Sequence, residues 1–261
     1  QSSLTRIALS LGILFLGATG LPAHADPSAA ATPAAVIPIA DFFNNAAFNG
    51  AVMSPDGRHL AVLVSAKGGR VQLYTVELPS MKVNGLTSFE DADIASIAWV
   101  NNRRVVYSVA DRNIAQGEVQ YGPGLYAINI DGGGYRQLAS NTYFKSGLGG
   151  SRTMLGGLTS LLNTSTVADS NDVFVTETRY SQAGKPSTVV LRLNTVTGIS
   201  RPAATLKDAL GWMMDKNDEV RIAITYDKKN TVVNYRDNAD TPWRILHEND
   251  PYHPRKGDFS P

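Results

Sequence analysis

Short runs in which apolar residues alternate with polar ones recur along this chain, each bounded by a tight turn sequence. The clearest is Ala51-Val52-Met53-Ser54-Pro55-Asp56-Gly57-Arg58-His59-Leu60-Ala61-Val62-Leu63-Val64. Proline pre-sets φ for the first corner, aspartate caps the turn through its side chain, and glycine accepts the positive φ that follows. With β-branched residues on both sides, the stretch reads as a hairpin with an inward and an outward face.

Weaker copies follow. Asn101-Asn102-Arg103-Arg104, Asp169-Ser170-Asn171-Asp172 and Asp215-Lys216-Asn217-Asp218 each sit between apolar runs. The first two turns are about 45 residues apart, as are the last two, which is the length of a four-stranded propeller blade. The middle spacing is longer. The excess falls in residues 145–165, where Gly147, Gly149, Gly150, Gly156 and Gly157 predict an inserted loop with a short helical piece at 158–162. In each copy the second strand is the most apolar (60–64, 105–109, 173–176 and 220–225), and a third follows with partial period-two alternation (71–76, 124–130, 188–193 and 231–235). Turns such as Asp131-Gly132-Gly133-Gly134 then lead to an edge strand. Beyond the N-terminal segment and residues 39–43 no helical period is sustained, which argues against βαβ units and for an all-β array.

The expected fold is therefore all-β: an incomplete β-propeller of about four four-stranded antiparallel blades, at approximately 46–90, 93–140, 166–206 and 207–250, preceded by a signal peptide. An open ring leaves its first and last sheets unsatisfied, so the chain reads as a fragment. A self-contained four-bladed ring or a twisted β-sandwich is the alternative.

The N-terminus changes the picture of compartment. Arg6, the apolar run from Ile7 to Leu16, and Ala23-His24-Ala25 match an export signal cleaved after Ala25. That run is shorter than the roughly 20 residues a membrane-spanning helix needs. Position 1 is glutamine, so the N-terminus itself reads as truncated. Residues 26–38 form an Ala/Pro-rich linker, and 39–261 the partial propeller. The expected location is periplasmic or secreted, with no stable membrane anchor once the signal is removed.

Composition narrows the chemistry. The 261 residues are 43% hydrophobic with a formal charge of +1, and the basic residues are scattered singly, so no nucleic-acid partner is expected. There is no cysteine, hence no disulfide, thiolate or cysteine-metal chemistry. After export only His59, His247 and His253 remain, too scattered for a histidine-rich metal site. His59 is expected in a strand register facing solvent, and His247 and His253 in a Pro-rich connection around Asp250.

Glu90, Asp91 and Asp93 are a candidate cation or amine site, with a solvated inter-blade loop as the plainer reading. Asp111 and Arg112 end a predicted strand where they could reach a central channel. Gly132 to Gly134 lacks the following helix of a phosphate loop and reads as a turn. Asn163-Thr164-Ser165 fits a glycosylation sequon. Trp99, Trp212 and Trp243 are expected to pack between blades.

The ordered series Ile37-Pro38-Ile39-Ala40-Asp41-Phe42-Phe43, residues 51–64 with their Ser-Pro-Asp-Gly-Arg turn, residues 91–101, and Gly122-Pro123-Gly124-Leu125-Tyr126-Ala127 resembles the start of exported bacterial peptidases of the prolyl oligopeptidase family. The acylaminoacyl-peptidase and dipeptidyl-peptidase-like branch is the nearest in pattern. The resemblance covers essentially everything after the linker, and its turn motif alone is of low specificity. It implies a substrate-gating propeller followed by an α/β-hydrolase domain with Ser, Asp and His, acting on short peptides.

None of that triad can be placed in this sequence. Gly149-Gly150-Ser151-Arg152-Thr153 comes nearest to a nucleophile elbow and lacks the closing glycine. No catalytic, cofactor-binding or metal-binding residue is expected, and no cofactor. The rival function is a non-enzymatic periplasmic propeller that binds a protein partner. A lactonase-type metal propeller is disfavoured because no carboxylates converge at strand starts.

Overall fold

The computed structural model describes residues 44–66, 68–112, 122–142, 154–227 and 230–249. The chain divides into a unit Gln1–Phe42 and a unit Phe43–Pro261, and every described residue lies in the second. The expected signal peptide and linker thus lie outside the described residues, as do His253 and the segment Gly149 to Thr153.

Four antiparallel sheets of four strands each account for the described residues, with no helix among them. The first blade is β1 (Phe48–Met53), β2 (His59–Val64), β3 (Gln72–Glu77) and β4 (Lys82–Gly85). The second is β5 (Asp93–Asn101), β6 (Arg104–Ala110), β7 (Leu125–Asn129) and β8 (Arg136–Ala139). The third is β9 (Thr159–Thr164), β10 (Asp172–Tyr180), β11 (Pro186–Asn194) and β12 (Ser200–Ala204). The fourth is β13 (Ala209–Met214), β14 (Val220–Asp227), β15 (Asn230–Tyr235) and β16 (Arg244–Asn249). In every sheet each strand pairs with its neighbour in sequence, so each is a simple meander.

The turn chemistry read from the sequence is what closes the first hairpin. Gly57 N–H donates to the Ser54 carbonyl at 2.9 Å, and Gly57 takes φ +69°. Asp56 accepts from Ser54 Oγ at 2.6 Å and from Arg58 N–H at 3.0 Å. Those two bonds hold its carboxyl below the ordinary aspartate range. The fourth hairpin puts Asp218 in the left-handed region instead, at φ +63°.

The expected helical piece is absent. Residues 158–162 do not form a helical piece, because 159–164 are β9, paired antiparallel with β10 from Thr159↔Glu177 to Thr164↔Val173. The third blade therefore begins earlier than residue 166.

The core lies in the seams between blades. One cluster joins Ala61, Leu63 and Leu73 of the first sheet to Ile94, Trp99, Val105 and Tyr107 of the second. A second joins Val106, Leu125 and Ala127 to Val173, Val175 and Leu191. A third joins Phe174 and Val190 to Ala209, Trp212, Val220 and Ala223. Successive residues of β6, Val105 and Val106, are both at 0% exposure because they face opposite blades. A sandwich would bury only one face of each sheet. Two-sided burial of the middle sheets makes this an array of propeller blades.

The first and last sheets differ. On β2, Leu60, Val62 and Val64 stay half-buried where Ala61 and Leu63 are covered. On the fourth sheet Met213 and Tyr226 remain 56% and 55% exposed. Among the described residues each end of the array presents one incompletely covered apolar face.

Candidate functional site

Two rims result from this topology, one at the starts of β1 and β5 and one at the hairpin turns that follow β1, β5, β9 and β13. At the first rim the sequence placed a carboxylate group, Glu90, Asp91 and Asp93. The structure separates it. Glu90 and Asp91 are exposed, while the Asp93 side chain is fully buried at the head of β5. Its Oδ1 accepts from Val71 N–H and from Asn45 Nδ2, each at 2.8 Å. Its Oδ2 accepts from Arg70 Nη1 at 3.1 Å and from the Arg112 backbone N–H at 3.3 Å.

Arg70 Nη1 also reaches Asp111 Oδ1 at 2.7 Å. Burial works against the Arg70 charge, and the bonds to Asp111 and Asp93 more than offset it, leaving its pKa above the ordinary arginine value. Arg70 thus bridges Asp93 and Asp111 across the first seam, and four donors saturate the Asp93 carboxylate. Its chemistry is that of a latch, since a buried carboxylate with its lone pairs filled is held for structure. Among the described residues no group of three or more His, Asp or Glu side chains could hold a metal ion.

The turn rim is linked blade to blade. Asp56 N–H donates to Asn102 Oδ1 at 2.9 Å, from the first turn to the second. Asn101 Nδ2 donates to the Ser170 carbonyl and to Asn171 Oδ1, both at 3.0 Å, from the second to the third. Thr166 N–H and Ser165 Oγ donate to the Asp218 carboxylate, from the third blade to the fourth turn. Beneath the rim, Asp131 and the three glycines after it form a turn, with Gly132 N–H bonded to the Asn129 carbonyl at 2.9 Å. The Gly134 carbonyl is an acceptor for Arg104 Nη1.

The tryptophans lie at the seams. Trp99 Nε1 donates to the Val52 carbonyl at 2.9 Å. Trp212 Nε1 donates to Thr188 Oγ1 at 2.8 Å, and Trp243 tilts against Trp212 at 5.9 Å. His59 departs from expectation: it shares the face of Ala61 and Leu63 and approaches the Trp99 ring at 6.5 Å, with Nδ1 buried and unpartnered. His247 lies in β16, half-buried, and not in a loop. Asn163 is exposed at the end of β9.

Two of the clefts on the described surface have well-defined linings. One, about 270 Å³, is lined by Asp172, Arg192, Asn194, Thr197, Ile199, Ser200 and Arg201. Asp172 accepts from Arg192 Nε at 2.7 Å and from Asn194 Nδ2 at 2.8 Å, with Arg201 Nη2 at 3.8 Å. The other lies at the first seam among aromatic rings and had no signal in the sequence, since its lining comes from three separate segments.

No family model matches this chain, and no curated protein matches it. Among solved structures it is similar to an oligogalacturonate lyase in complex with manganese, at 14% identity and a TM-score of 0.48, covering 78% of this chain and 54% of that one. It is similar to a prolyl endopeptidase at 11% identity and 0.46, covering 84% and 36%. A TolB from Acinetobacter baumannii matches at 17% and 0.37, covering 77% and 43%. The chain thus spans about half the length of the first and less of the others. At such identities the likeness says nothing of what this chain does.

Proposed function

We propose that this chain is the propeller portion of an exported serine peptidase of the prolyl oligopeptidase family, in its acylaminoacyl-peptidase and dipeptidyl-peptidase-like branch. In this reading the propeller gates short peptides toward an α/β-hydrolase domain encoded beyond residue 261, and contributes no bond-making residue itself. The setting is periplasmic or secreted, with the leader removed after Ala25.

One observation carries the reading. Three seams are fully shared between blades, while the first and last sheets each keep an apolar face such as that of Met213 and Tyr226. A ring lacking further members leaves that residue. The ordered segments at 37–43, 51–64, 91–101 and 122–127 support the choice of family.

Reading the coding DNA past Pro261 tests it. More blades followed by Gly-x-Ser-x-Gly, then Asp and His, are expected in that chain order. A stop codon directly after Pro261 would favour the protein-binding scaffold instead. The purified 261-residue chain is expected to hydrolyse no peptide substrate, and turnover blocked by a serine-directed inhibitor would contradict the assignment.

A further inference from the structure

The chain holds two Asn-Gly pairs, Asn49-Gly50 in β1 and Asn84-Gly85 in β4. Glycine has no Cβ to shield its backbone nitrogen from the carboxamide carbon of the residue before it. When that nitrogen attacks, a bond forms from N to Cγ, the bond from Cγ to Nδ2 breaks, and ammonia leaves behind a cyclic imide. Water then opens the imide at either carbonyl, giving aspartate or the isomer whose backbone runs through the side chain. The fold decides which of the two pairs can react.

Both strands lie at an edge of the first sheet, and both asparagines are half-buried, so exposure does not separate them. What separates them is how each is held. Asn84 stands in an unbroken ladder opposite Thr75, with Gly85 opposite Tyr74. Its Nδ2 donates to the Ile130 carbonyl at 2.8 Å, in a partly buried bond across the first seam. The Tyr74 ring lies 3.3 Å from where a Gly85 Cβ would stand, which closes that side of the backbone.

Asn49 sits at an interruption. β1 pairs with β2 at Phe48↔Val64 and resumes at Gly50↔Leu63, so the register shifts at Asn49. Gly50 takes φ +140°, and nothing lies within 4 Å of its Cβ position. The Asn49 side chain makes two exposed bonds, Nδ2 donating to the Ala46 carbonyl at 2.6 Å and Oδ1 accepting from Arg112 Nη1 at 3.4 Å. Water replaces such bonds at little cost. A strand opens most readily where its ladder is interrupted and its bonds face solvent.

We propose that Asn49-Gly50 is a site of spontaneous deamidation in the folded protein, and that Asn84-Gly85 is protected. The reaction replaces a neutral amide by a carboxylate beside Arg112, and takes the formal charge of the chain from +1 to 0. The isomer also lengthens the backbone of β1 at its bulge, where the ladder is already irregular. The inference rests on the first sheet and its seam, and holds whatever reaction the whole protein performs.

Incubating the 261-residue chain in mildly alkaline buffer, with peptide mapping by mass spectrometry over time, tests it. Asn49 is expected to lose its amide about fivefold faster than Asn84 or more, the share of one hydrogen bond that only Asn84 keeps from water. In urea the two positions should convert at similar rates, since the seam and the ladder are gone. Asn49→Gln, whose longer side chain closes an imide far more slowly, should keep its amide over the same period with the melting temperature unchanged. Equal rates at the two asparagines in the folded chain, loss at Asn49 only after unfolding, or the same difference persisting in urea would overturn the proposal.

Discussion

Arg104 is 3% exposed and has no carboxylate partner among the described residues. Its Nε donates to Thr195 Oγ1 at 3.0 Å and Nη2 to the Thr195 carbonyl at 2.7 Å, across the second seam. Nη1 donates to Asn129 Oδ1 at 2.7 Å and to the Gly134 carbonyl at 2.9 Å. Burial, with some repulsion from Arg136, lowers its pKa from the ordinary arginine value. The guanidinium keeps its proton, as arginine does in proteins. A cation held only by neutral acceptors is costly to bury, and losing its fork leaves several oxygens unpaired. Arg104→Met is expected to cost about 3 kcal/mol or more in urea unfolding. Arg104→Lys should recover under half of that, since an ammonium cannot reproduce the planar fork. A midpoint unchanged in Arg104→Met would show that the network carries no stability. Nothing near Arg104 in the sequence announced this role, because its partners are 25 to 91 positions away. Asp93 was misjudged for the same reason: as one of three acids close in sequence it reads as solvated, while the donors that let it be buried, on Asn45, Arg70, Val71 and Arg112, lie 19 to 48 positions away. The turn at Ser54 was legible because its chemistry is contained in adjacent residues.

For whole elements, legibility followed how far a strand's own pattern decided its fate. The second strands β2, β6, β10 and β14 were plain, being apolar runs next to hairpin turns. β9 was not. Leu158, Leu161 and Leu162 fall at a helical spacing, and the flanking glycines read as loop, whereas pairing with β10 imposes the extended form. The neighbour supplies what the segment's own sequence does not. Seams show the same dependence. Trp99 is 6% exposed on β5 and its indole N–H bridges to the β1 carbonyl of Val52. Trp99→Phe retains most of the apolar area and removes that bond, so a loss of about 1–2 kcal/mol is expected, read as a lower thermal midpoint. Trp243 provides the comparison. It is half-exposed, donates to the Thr205 carbonyl at 3.2 Å and lies under Arg236 at 4.6 Å. Trp243→Phe should cost less, because water can replace the lost bond at an exposed site. Equal losses at both positions would mean that burial in the seam contributes nothing beyond the indole bond.

Across the whole described unit, four sheets share three seams, and both middle sheets are covered on both faces. The end faces are left with large apolar groups: Met53 at 57% and Val83 at 61% on the first sheet, Met213 at 56% and Tyr226 at 55% on the fourth. Apolar sheet faces with open edge strands associate when nothing covers them. In a longer ring a further sheet would cover each one. In the 261-residue chain by itself a second copy is the available cover, the fourth sheet of one molecule meeting the first sheet of another. Sedimentation at micromolar concentration is therefore expected to show association. Val83→Lys with Met213→Lys should shift it toward monomer, and because both side chains lie largely in solvent the melting temperature should hold. A monomer with both faces intact would mean that these surfaces tolerate water as they stand. The inference that the ring is unfinished would then lose its physical basis, since it depends on those faces needing a neighbour.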